Sequence, residues 1–141
     1  MATTNASISV SSDIMSYPVR INKTMTMKKL ASCHGLEETS GLNVKKFTAT
    51  AAVKLVDNTE GTAGKASKVY IRNTGSDKAN FFYVALANGA AASDSTETIG
   101  RLHGGDWMLI PWAATAATTH DIHVAPNTVE PMTIEWMVFV E

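Results

Sequence analysis

The sequence predicts an all-β protein: a two-sheet antiparallel β-sandwich, jelly-roll-like, of about eight or nine strands, with a closed barrel as the alternative. Three observations predict it. Apolar and polar residues alternate at period two in one short run after another. Segments rich in Gly, Asn, Asp, Pro or Ala separate those runs. No stretch carries the 3.6-residue period of an amphipathic helix. A chain of 141 residues fits one domain and buries a core without disulfide or metal. The expected division is an N-terminal arm or edge strand over residues 1–22 and a single sandwich over 23–141.

The first segment is polar. Ile8 and Val10 alternate with serines, enough for one short strand, and Tyr17-Pro18-Val19-Arg20-Ile21 offers a second that Pro18 keeps off a central position. Ile8, Val10 and Tyr17 are therefore candidate contacts with a neighbouring subunit, set against a loosely ordered terminus. Met25 and Met27 share a face of the next run, and residues 31–42 hold at most a helical turn because two glycines interrupt them. From Lys46 to Asp57, Phe47, Ala49, Ala51, Val53 and Leu55 fall on one side of a single expected strand. Val69 and Ile71 point inward from the next.

The run Phe81 to Ala87 is apolar on both faces, as suits a central strand or one that meets another chain. Thr98 to Trp112 reads as a β-hairpin turning at Gly104-Gly105-Asp106, with Leu102 and Leu109 anchored in the core. Trp107 and Trp112 are five positions apart on its second strand, so one is buried and the other is exposed or at an interface. His120 to Val124 is a short strand. Met132, Ile134, Trp136, Val138 and Val140 form the inner face of the last one.

Charge and chemistry narrow the function. Lys and Arg number 12 against 13 Asp and Glu, a formal charge of -1, so electrostatics favours neither a nucleic-acid nor a membrane partner. No apolar run reaches the roughly 18 residues of a membrane span, and Met1 to Ser7 lacks the pattern of a secretory signal, so synthesis in a cytoplasm is expected. The single Cys33 cannot form an internal disulfide or complete a zinc set with His34. His120 and His123 fall on opposite sides of a strand, which separates them as metal ligands. Asp106 and Asp121 are explained by turn formation. No nucleophile motif or phosphate loop is present, so no catalytic residue, cofactor or metal is expected. An exposed tryptophan also allows a sugar-binding module.

Lys68-Val69-Tyr70-Ile71-Arg72-Asn73-Thr74-Gly75, Tyr83-Val84-Ala85-Leu86, Ile99 through Trp112 and Thr133 through Phe139 together form a pattern over residues 66–141. This pattern resembles that of small virion structural proteins of tailed bacteriophages, including those that infect cyanobacteria. The resemblance implies a non-enzymatic β-sandwich building block in the virion, made in the host cytoplasm. It would be a capsid decoration (cement) protein, or alternatively a tail or neck component; the exposed tryptophan separately allows a receptor-binding component with a carbohydrate-binding β-sandwich. It would contact copies of itself, as a dimer or trimer, and the major capsid or other virion proteins. The candidate interface residues are Ile8, Val10, Tyr17, Trp107 and Trp112.

Overall fold

The structure, a computed structural model, describes residues 3–12, 19–28, 38–60, 67–86, 98–113 and 120–140. The chain divides into two compact units, Met1–Glu38 and Thr39–Val140. Its strands are β1 (Thr3–Ser12), β2 (Val19–Lys28), β3 (Glu38–Thr39), β4 (Asn43–Phe47), β5 (Val53–Val56), β6 (Ser67–Asn73), β7 (Phe81–Leu86), β8 (Thr98–His103), β9 (Trp107–Trp112), β10 (Ile122–Pro126) and β11 (Met132–Val140). A short 3₁₀ turn covers Asn58–Glu60.

The first unit is a two-stranded antiparallel ribbon in which Thr3 pairs with Lys28 and Ser12 with Val19. The expected boundary after Asn22 falls inside β2, whose ten residues pair with β1 without a break. The two methionine positions expected in a separate strand belong to this one. Tyr17, Cys33, His34 and the small-residue tips at 88–95 and 114–119 lie outside the described residues.

The second unit is an antiparallel sandwich of two sheets, with strand orders β5-β10-β7-β8 and β3-β11-β6-β9. β4 also pairs with β11, on the edge away from β6, joining Phe47 to Met132. With β4 in that place the eight strands β4 to β11 fall into jelly-roll order, β4-β11-β6-β9 against β5-β10-β7-β8, and the chain changes sheet at every connection but β7 to β8. The sandwich reading therefore holds. Among the described residues there are eleven strands, against the eight or nine expected, because the short β3 is added and the Lys46–Asp57 run is two strands.

That run crosses from one sheet to the other. Phe47 ends β4 in the core and Leu55 lies in the core from β5, while Ala49 to Ala51 between them are exposed. Alternating alanines and threonines satisfy a period-two pattern without needing a partner strand, so the pattern hid the break. Phe47 meets Phe82 of the opposite sheet edge to face, ring centroids 5.3 Å apart. Around this pair Val56, Val69, Ile71, Val84, Ile122 and Val124 close a dry core, each side chain contributing about 1.5–3 kcal/mol by its burial.

The Gly104 turn also joins two sheets and is not a hairpin, since β8 pairs with β7 and β9 pairs with β6. The Asp106 amide donates to the His103 carbonyl at 2.8 Å, and Gly105 takes φ +84°, as the third residue of a type II turn does. Gly104 is required for a different reason: a Cβ there would stand 2.4 Å from the Asp77 carbonyl oxygen. On β9 the inward residues are Met108, Ile110 and Trp112. Leu109 lies on the outer face beside Tyr70, a correction that follows from where the turn sets the strand's parity.

Asn73 holds this end together. It is the last residue of β6, at an inward position after Val69 and Ile71, and its side chain is buried. Its amide nitrogen donates to the Leu102 carbonyl at 3.1 Å and to that of Asn80 at 3.4 Å, while its oxygen accepts from the Gly75 amide at 3.0 Å. Its main chain exchanges hydrogen bonds with Asp106 and Gly105, both 3.0 Å. Asn127 does the same for the neighbouring loop, accepting from the Phe81 amide and donating to the Ala79 carbonyl.

Two substitutions test this end. Asn73→Ala strands buried carbonyls and should destabilise the sandwich by about 1–3 kcal/mol, and Gly104→Ala should cost about as much by overpacking against Asp77; chemical denaturation measures both. A third concerns pH. The Asp106 carboxylate accepts from Lys78 Nζ at 2.9 Å and from the His103 amide at 3.1 Å. The Lys78 contact first, then the amide, holds its pKa below the ordinary 3.8. The ionised form therefore contributes stability above about pH 4 that is lost as the pH falls through the lowered folded value. Asp106→Asn should lower the melting temperature at neutral pH and shrink its fall between about pH 5 and pH 2, read by circular dichroism.

Candidate interaction surfaces

The ribbon is amphipathic because its register fixes which side chains share a face. Val10 stands opposite Ile21, Ile8 opposite Lys23 and Ala6 opposite Met25, whereas serines, threonines, Asn22 and Arg20 fill the other face. Ile8, Val10 and Ile21 are 44%, 42% and 45% exposed. Two of the three expected arm residues thus lie together on one apolar face, and Ile21 joins them. Ser7 and Thr24 link the strands on the polar face by a 2.9 Å hydroxyl contact. An isolated two-stranded ribbon has too little cover for independent stability.

The second surface is the outer face of β4, β11, β6 and β9. The register lines up Val44, Glu135, Arg72 and Trp107 as one row, with Met137, Tyr70 and Leu109 as the next and Phe139, Lys68 and Pro111 as the third. Tyr70 donates its hydroxyl proton to Glu135 at 2.8 Å, and Arg72 Nη1 lies 3.4 Å from the same carboxylate oxygen. Burial first, then the Glu135 contact, raises the Tyr70 pKa. Trp107 is 47% exposed, and Trp112 is 4% exposed with its indole N–H donating to the His120 carbonyl at 2.6 Å. The pair divides as its spacing predicts, and Trp112 belongs to the core.

The outer face of the other sheet is occupied by its own residues. Phe81 and Tyr83 meet edge to face at 5.0 Å, Phe81 contacts His103, and Arg101 lies over both aromatic rings at 4.9 and 5.3 Å. A crevice of about 340 Å³ between the Asn73–Asn80 loop and Pro131–Thr133 has Asp77 as its one lining carboxylate.

The two acidic candidates are apart. Asp106 stabilises the turn before β9. Asp121 precedes β10 at the other end of the sandwich, where it receives Lys54 Nζ at 2.7 Å and the Asn58 amide at 2.8 Å. Lys54 also meets Asp57 at 2.9 Å. The Asp121 contact first and Asp57 second raise the Lys54 pKa to about 12, and Lys54 with the Thr59 groups holds Asp57 well below the usual carboxylate range. These groups fasten the β5 end to β10. Among the described residues no three His, Cys, Asp or Glu side chains cluster to hold a metal, and no helix is long and apolar enough to cross a membrane.

Sequence reasoning missed Asn73 as a structural tie and the Arg72–Glu135–Tyr70 group. The signal for the first was present: an asparagine at the inward parity of an otherwise apolar strand. The second depends on which strands become neighbours, and no local pattern encodes that.

No protein-family model matches this sequence, and no curated protein does. Among solved structures, a cupin protein from Bacteroides fragilis aligns over 81% of this chain and 84% of its own at 12% identity, with a TM-score of 0.38. That likeness is too low to bear on what this chain does.

Proposed function

We propose that the chain is a non-enzymatic virion structural protein, a decoration protein that sits on a capsid surface and stabilises the head through subunit contacts. One observation supports this reading above the others: the amphipathic ribbon is a compact unit of its own, with Ile8, Val10 and Ile21 exposed. Such a ribbon gains stability when a neighbouring subunit covers its apolar face. Its strands contain Arg20, Lys23 and Lys28 and no carboxylate, so they suit a partner surface of opposite sign. The first partner is a second copy of the chain, and the capsid protein is the second. The sandwich is the rigid body that these contacts hold in place. The resemblance of residues 66–141 to virion structural proteins agrees with this assignment.

Sedimentation velocity of the full chain should show an oligomer, and the protein should pellet with capsids. Replacing Ile8, Val10 and Ile21 together by Ser should return the chain to a monomer and release it from capsids. The sandwich melting transition should stay within about 0.5 kcal/mol of the parent, as for exposed sites. A parent chain that remains monomeric at high concentration and does not pellet with capsids would sink the proposal.

A further inference from the structure

We infer that the outer face of β9, β6 and β11 holds an acidic saccharide, with a sugar ring stacked on Trp107 and its carboxylate on Arg72. This goes beyond the virion reading and does not rest on it.

Trp107 supplies an open aromatic plane. Its side chain is 47% exposed, and among the described residues no cation or second ring covers it, in contrast to Phe81 and Tyr83 under Arg101. Directly opposite residues on paired strands have Cβ atoms about 4.5–5.5 Å apart, close to the width of one pyranose ring. Arg72 is the residue directly opposite Trp107. A ring lying on the indole therefore brings its substituents to the guanidinium.

Arg72 is equipped to receive them. Arg72 meets Glu135 through Nη1 alone, at 3.4 Å. The remaining N–H donors form the planar fork that binds a carboxylate in two-point fashion. Glu135 itself is 16% exposed, and the same carboxylate oxygen also accepts from the Tyr70 hydroxyl, so Arg72 is positioned and not consumed by the pair.

Charge selects the ligand's sign. Among the described residues Lys46 and Arg72 lie on this face beside Glu135, a balance of charge that favours an anion. An added peptide strand is disfavoured at the neighbouring edge, because Pro111 lies in β9 and proline blunts an edge strand. The face remains as the docking place, and its one open ring matches a sugar's apolar side.

Isothermal titration of the full chain with an oligogalacturonate tests the site. Neutral maltohexaose and poly-glutamate are the comparison ligands. Oligogalacturonate should bind, weaken with added salt, and bind at least tenfold less tightly to Trp107→Ala and to Arg72→Gln. Both variants should keep the parent's melting transition, which separates loss of the site from loss of the fold. Maltohexaose should bind more weakly than the acidic sugar, and poly-glutamate should not compete. The inference is overturned by absence of oligogalacturonate binding, by binding indifferent to Trp107→Ala, or by equal binding of poly-glutamate, which would make the face a general acidic-partner surface.

Discussion

A single buried carboxamide organises one end of this protein. Asn73 bonds to Leu102 in the opposite sheet, to Asn80 and Gly75 in the adjoining loop and, through its main chain, to the 105–106 corner. Inside a dry core these bonds are strong because no water competes, and each is expensive to lose for the same reason. The side chain therefore sets the spacing at which two apolar faces meet. The positions of Gly104, Asp77 and the start of β9 follow from it, and with them the parity that sends Trp107 outward and Trp112 inward.

Much of the sandwich was legible in the sequence because burial on one face leaves a period-two record. Val69 with Ile71, and Met132, Ile134, Val138 and Val140, show it and lie in the core. What could not be read was partnership. Thr98 to Trp112 has the composition of a hairpin, yet a glycine turn that joins two strands of one sheet looks the same as one that joins two sheets. The deciding contact is Asp77 against Gly104, nearly thirty residues away in sequence.

The candidate surfaces differ in the same respect. The ribbon's exposed isoleucines and valine were visible because their alternation with serine is local. The row Val44, Glu135, Arg72, Trp107 draws one residue from each of four strands, so none of the four carries a sign of the others. Tyr70 and Glu135 are both unremarkable in sequence; only the pairing of β6 with β11 makes them a bonded group that steadies Arg72.

The pairing of β4 with β11 has a kinetic consequence. β11 is an inner strand of its sheet, with β4 along one edge and β6 along the other, so Phe47 waits for Met132 before either is covered. Most contacts of the sandwich are of this distant kind, a topology that folds slowly because loop closure must precede any gain from burial. Until β11 arrives, β4 and β6 present open edges and apolar faces to other chains. During synthesis the protein is therefore most exposed to wrong association in the interval between the making of β6 and the making of β11.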